Sequence, residues 1–192
     1  MNATHGGPGT PAGGGHQADL YQQVILEHNK KPRNFGKLAA PTHQAEGFNP
    51  LCGDHLWVYL TLANDPATGG MDAPDAVIRE VSFEGAGCAI SKASASMMTA
   101  ALKGKTRAEA LALYADFHGL LTRASAASEG AGVQAGAAPV LPEGAELRLG
   151  KLKIFSGIWR FPSRVKCAAL AWHTVSSALA ATGAAAQPVS TE

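Results

Sequence analysis

Cysteine is scarce in this chain: Cys52, Cys88 and Cys167 are the whole supply in 192 residues, and none forms a Cys-x-x-Cys pair. An odd number spread so widely argues against a disulfide framework and leaves metal ligation, catalysis or inert burial. Long apolar runs are also missing, since nothing approaches the roughly 20 consecutive apolar residues that a membrane span requires. Charge of one sign is absent as well: 16 basic side chains face 15 acidic ones, for a formal net charge of +1. That balance supplies no electrostatic case for nucleic acid or an anionic membrane surface, so neither is expected as a partner. The opening Met1-Asn-Ala-Thr-His-Gly-Gly-Pro-Gly has neither a basic n-region nor an apolar h-region. It does not read as a secretory signal, and a cytoplasmic location is expected.

What remains is a chain long enough for one core and too short for two ordinary domains. Residues 1–18 are rich in Gly, Pro, His and Ala and read as a disordered N-terminal tail. A single domain is expected over 19–183, with a frayed tail over 184–192. Asp19 is positioned to cap a first helix, with Gln22 completing a capping box and Leu20, Val24 and Ile25 on the apolar face. From His43 to Glu84 the pattern alternates with period two: Leu56, Val58, Leu60 and Leu62 share one face, and Trp57, Tyr59 and Thr61 the other. Three strands in a meander follow, at about 43–48, 55–62 and 76–84.

Helices are expected after the strands. One spans Ala89 to Lys103 and is stopped by Gly104. The next opens on the capping box Thr106-Arg-Ala-Glu109, buries Leu111, Tyr114 and Phe117, and ends at Gly119. Residues 122–150 read as a flexible insertion. Ile154, Phe155, Ile158, Trp159 and Phe161 restore packing character. Ser163 then caps a last helix carrying Val165, Ala168, Ala169, Trp172, Val175 and Leu179 at helical spacing, ended by Gly183. The fold class is α+β, a small three-stranded antiparallel sheet with helices on one face.

Each cysteine lies where two elements meet: Cys52 and Asp54 in the turn entering the main strand, Cys88 between strand and helix, and Cys167 at the start of the last helix. Helix N-termini carry unpaired N–H groups and partial positive charge, which stabilise a thiolate. Three thiolates and one carboxylate form an acceptable zinc set. The bland alternative stays open on these residues alone, because a cysteine in an Ala-rich domain is commonly a small buried hydrophobe. The seven histidines lack metal-pair spacing; His28, His118 and His173 read as polar helix faces, and His55 as surface. Met97 and Met98 read as core.

Three motifs in order, Cys52-Gly-Asp54 before a strand, Gly85-Ala-Gly-Cys88-Ala-Ile-Ser91 before a helix, and Pro162-Ser-Arg164-Val-Lys166-Cys167-Ala into a Trp-containing helix, resemble the U-type iron–sulfur assembly proteins. That family includes IscU, SufU and the NifU N-terminal domain, and the resemblance covers about 19–121 and 151–181. It implies a metal site of Cys52, Asp54, Cys88 and Cys167. Lys166 stands where scaffold members carry histidine, and Phe161-Pro-Ser-Arg-Val-Lys166 departs from their Leu-Pro-Pro-Val-Lys docking sequence. The segment ending in Ile154-Phe-Ser-Gly-Ile-Trp-Arg-Phe is similar to the insertion of SufU proteins.

The SufU branch implies a zinc-dependent, sulfurtransferase-like carrier. It accepts persulfide from a SufS-type cysteine desulfurase and passes sulfur to a downstream SUF scaffold. Cys52, on a loop between Pro50 and Gly53, is the expected acceptor, and Cys167 the runner-up. Arg164 and Lys166 are candidates for partner contact or site support. The rival expectations are a scaffold carrying a transient iron–sulfur cluster on the same ligands, and a zinc-stabilised interaction module without sulfur chemistry.

Overall fold

The computed structural model describes residues 15–63, 70–128, 141–181 and 188–191. The period-two segment forms strands β1 (His43–Asn49), β2 (Asp54–Leu62) and β3 (Ile78–Ala86), paired antiparallel in sequence. Leu56, Val58, Leu60 and Leu62 are buried together, as alternation requires. Tyr59, on the opposite face, is buried too, and its hydroxyl donates to Glu84 of the neighbouring strand at 2.5 Å, which offsets the cost of burying it. A register shift beside Thr61 pairs Leu62 with Ile78 and leaves Arg79 out, so Ile78 rather than Val77 joins Val81 and Phe83 in the core.

The sheet has four strands, in the order β3-β2-β1-β4. The fourth, Val189–Ser190 (β4), lies parallel to β1 at Gly47 and Phe48. Its two residues are too few to show a period. A frayed tail is therefore the wrong description of 188–191, while 184–187 and 192 lie outside the described residues.

Helix α1 spans Gly15–Lys30, so Asp19 sits inside it rather than capping it. Leu20 is exposed, while Ile25 and His28 face inward. His28 is no polar surface residue: its Nδ1 is bonded to the Ser96 hydroxyl at 2.7 Å. Helix α2 (Ala89–Leu102) ends before Gly104, whose φ is +84°. Helix α3 (Arg107–Ser128) opens on the expected box: the Thr106 N–H donates to Glu109 Oε2 at 2.8 Å, and the Glu109 N–H to Thr106 Oγ1 at 3.2 Å. It does not stop at Gly119, and it buries Leu113 and Phe117 rather than Leu111. A glycine costs a helix interior only about 1 kcal/mol, which the buried Leu120 and Leu121 beyond it offset.

The 122–150 segment is corrected at both ends. Helix α3 carries on through Ser128, and Ala145–Leu149 forms a short helix, α4, with Leu149 in the core. A bidentate ion pair from Arg148 to the buried Asp116, at 2.6 and 3.0 Å, fixes α4 against α3. Residues 129–140 lie outside the described residues. A 3-10 segment, Gly150–Arg160, buries Leu152, Phe155 and Ile158, while Phe161 is exposed.

Helix α5 (Pro162–Ala180) starts with proline at its first position, where the missing N–H costs nothing, and no side chain caps it. Ser163 is thus inside the helix; its end at Ala180 precedes Gly183, which lies outside the described residues. Trp172 stacks on Phe117 at 4.5 Å and donates its indole N–H to Ser94, whose hydroxyl donates to Ala168 O. These bonds fix α5 to α2. Gly47 lets α5 rest on β1, since a Cβ there would stand 2.0 Å from Thr174 Oγ1. Strand β1, α2 and α5 are therefore locked together, and the cysteines sit at their ends. Among the described residues, no helix is long and apolar enough to cross a membrane.

Candidate metal centre

The turn between β1 and β2 is built from its own backbone. Asn49 O accepts the N–H groups of Cys52 and Gly53 at 3.3 and 2.9 Å, and Asn49 Oδ1 accepts the N–H of Leu51 at 3.2 Å. Gly53 closes the turn at φ +69°, a conformation that side chains resist. Cys52 is left exposed at the tip, and Asp54 enters β2 with only 2% of its surface exposed.

At the far end of β3, Cys88 is the N-cap of α2, and its Sγ accepts the N–H of Ser91 at 3.4 Å. Its own N–H donates to Asp54 Oδ1 at 2.8 Å. Gly87 makes room: a Cβ there would stand 3.3 Å from that same carboxylate oxygen. Cys167 is the buried sulfur. Because α5 begins at Pro162, Cys167 lies in its second turn rather than the first, beyond the free N–H groups of the helix start. Burial first, then the nearby Cys88, Cys52 and Asp54, pushes its thiol well above the ordinary range.

Asp54, Cys88 and Cys167 bring one ligand atom each within 4.8 Å of the others. Cys52 stands outside that trio, yet its Sγ is 3.6 Å from Cys167 Sγ. Three of the four expected residues are therefore gathered, and the fourth lies against one of them. Asp54 Oδ2 is buried with no hydrogen-bond partner. An unpaired carboxylate oxygen sealed from water costs more than 1–3 kcal/mol, roughly, and a cation is what would repay it. Three sulfurs and one carboxylate suit a four-coordinate, borderline-soft divalent ion.

Two residues of the last motif diverge. Arg164 is exposed, with its guanidinium 4.4 Å from the centre of the Phe161 ring; Lys166 is half-buried. Asn49 was missed as a site residue. It is fully buried, and besides shaping the turn its Nδ2 points at Cys167 Sγ from 3.9 Å. An Asn at a strand end ahead of Pro is a turn former by its side-chain carbonyl, and that was the available signal.

A small α+β domain that gathers thiols and a carboxylate from three distant segments is a metal- or sulfur-handling class of protein. Comparison with known sequences is consistent with this: the NifU-like N terminal domain model matches residues 20–120, and the chain belongs to that family. It is 33% identical over 165 residues to the zinc-dependent sulfurtransferase SufU of Bacillus subtilis, covering 84% of this chain and 90% of that one. It is 32% identical over 160 residues to the iron–sulfur cluster assembly scaffold protein IscU of Streptococcus pyogenes, covering 83% and 82%. Among solved structures, it superposes on a protein from Fervidobacterium islandicum described as an iron–sulfur cluster assembly scaffold for the SUF system. There the TM-score is 0.61 at 29% identity, over 86% of this chain and 99% of that one.

Proposed function

We propose that this protein accepts sulfur as a persulfide from a SufS-type cysteine desulfurase and hands it to a downstream SUF scaffold. A zinc ion held by Cys52, Asp54, Cys88 and Cys167 completes the resting site. The observation that carries the reading is the division among the sulfurs. Cys52 and Cys88 are both exposed and Cys167 is buried, but Cys88 is held as the cap of α2 and by its bond to Asp54, while Cys52 sits on a glycine turn outside the gathered trio. The named zinc-dependent relative supports the choice of metal. When bound, zinc keeps its sulfur ligands deprotonated and adds its binding energy to folding.

The transfer is thiol–persulfide exchange performed by Cys52. Its thiolate forms a bond to the outer sulfur of the donor persulfide, and the donor's S–S bond breaks with its electron pair leaving on the donor cysteine. The persulfide is now on Cys52, and no outside oxidant is needed. Leu51, 70% exposed, adjoins Cys52, and the exposed Phe161 with Arg164 against its ring stands at the start of the helix that carries Cys167; these are the apolar and cationic groups suited to partner contact.

The scaffold reading is the second one, favoured by the name of the Streptococcus relative at nearly the same identity. Lys166, in place of the scaffold histidine, favours the relay. A desulfurase assay with cysteine, with and without this protein, tests the choice. Stimulated turnover and a persulfide on Cys52 by mass spectrometry are expected. Persulfide on Cys167 with Cys52 unmodified, or a brown protein after anaerobic reconstitution that delivers its cluster, would favour the scaffold. Zinc without any stimulation would leave an interaction module.

A further inference from the structure

Between α1 and the 3-10 segment lies a half-open cavity of about 430 Å³ that shares no residue with the sulfur site. Its apolar lining comes from Leu20, Val24, Met97 and Ile154. Arg33, Lys151 and Lys153 also line it, against Glu27 alone. Among the described residues none of these four charged groups forms an ion pair, although ion pairs occur elsewhere in the molecule. The wall is a built one. His28, 7% exposed, is bonded through Nδ1 to the Ser96 hydroxyl, and the same hydroxyl accepts the N–H of Arg33 at 2.7 Å.

We propose that this cavity is a binding site for a monomeric amphipathic anion, a carboxylate or similar head on a medium-length hydrocarbon body. The volume falls in the range of small-molecule sites, which are mostly apolar with a few converging polar groups. An apolar ligand alone would satisfy the lining but leave three cations unused. A small hydrophilic anion would do the reverse, leaving the apolar surface wet. Only a ligand with both parts uses both, and the excess of positive charge fixes the sign of its head. His28 provides an internal reporter: its proton affinity is lowered first by burial and then by Arg33, with Glu27 opposing and Lys151 adding to the effect. A carboxylate settling among those cations neutralises part of that field.

Decanoate below its micelle concentration is the probe, added to the full chain with zinc bound and followed by NMR. Saturable binding is expected, with shifts at the Met97 methyl and an upward move of the His28 titration midpoint. Decanol and acetate should each bind at least about tenfold more weakly. Lys151→Glu with Lys153→Glu should weaken decanoate by about tenfold or more, and Arg79→Glu with Lys103→Glu, neither of which lines the cavity, should not. The milder pair Lys151→Gln and Lys153→Gln serves if charge reversal disturbs the 3-10 segment. Equal affinity for decanol, indifference to both cavity pairs, or no saturation would overturn the proposal. So would cosedimentation with phosphatidylglycerol vesicles in the absence of monomer binding. None of these outcomes depends on sulfur transfer.

Discussion

The backbone N–H of Cys88 donates to one oxygen of the Asp54 carboxylate at 2.8 Å, and the other oxygen is buried without a partner. One residue thus does two jobs: it ties the start of β2 to the start of α2, and it holds an acceptor ready for a cation. Asp54→Asn keeps the first job through its amide oxygen and removes the negative charge from the second. Asp54→Ala removes both.

Zinc affinity should therefore fall in both variants, but apo-protein stability should fall more in Asp54→Ala, by about 1–3 kcal/mol. Both should lose zinc more gently than Cys88→Ser, which removes a thiolate. Competition with a chromophoric chelator and urea denaturation of the apo forms read the two effects. Equal apo stabilities for Asn and Ala would show that the Cys88 bond carries nothing.

Metal removal should loosen the whole domain, because the donors join segments far apart in sequence. We expect thorough chelation to lower the melting temperature by at least about 5 °C, since each kcal/mol moves a chain of this size by 2–4 °C. An unchanged melting temperature, with metal analysis showing the zinc gone, would sink the coupling.

Deletion of 129–140 should leave fold and zinc binding intact, whereas Leu149→Ala should cost about 2–5 kcal/mol. Leu149 is 2% exposed and belongs to the core, and Asp116 and Arg148 beside it make the bidentate pair. Circular dichroism melts of the two variants decide it. Equal stability of Leu149→Ala and the parent would mean that α4 is not docked in solution.

The alternating strand pattern, the Thr106 box and the stop at Gly104 were legible because each depends on residues close in sequence. The three cysteine motifs were legible for the same reason, each being a local turn or helix start. The errors fall where long-range packing overrides local signals. Gly119 reads as a helix end until Leu120 and Leu121 are seen buried. The Ala/Gly-rich stretch hides α4, whose anchor is an ion pair across 32 positions to Asp116. His28 reads as polar surface because its partner, Ser96, is 68 residues away. Asn49 was visible as a turn residue, but its approach to Cys167 spans 118 positions and no local pattern encodes it.

Stability should fall on acidification below about pH 6.5. His28 and His173 both have their proton affinity lowered in the fold, chiefly by burial. For His173 the neighbouring groups are Tyr114, whose hydroxyl is 2.9 Å from Nδ1, and His118, which lowers the affinity further. The unfolded chain therefore binds more protons than the folded one, so stability rises with pH through this window and is lost below the ordinary histidine value. Urea midpoints of the apo-protein between pH 5 and 7.5 test this, read against His173→Gln, whose pH slope should be shallower. An identical slope in the variant would remove His173 from the account.

The order in which the donors enter the chain has a consequence for synthesis. Cys52 and Asp54 come from the first hairpin and Cys88 follows 34 positions after Asp54, but Cys167 stands 115 positions after Cys52. A nascent chain that has folded β1 to β3 and α2 holds two of the sulfurs and the carboxylate. Only when α5 emerges and seats Trp172 against Phe117 does the last sulfur arrive. A ribosome-bound chain thus offers metal a partial site, and one ending before α5 has no way to close it. On the proposed four-ligand site, tight metal retention becomes a mark of a finished molecule, separating completed chains from truncated ones that still carry the first two motifs.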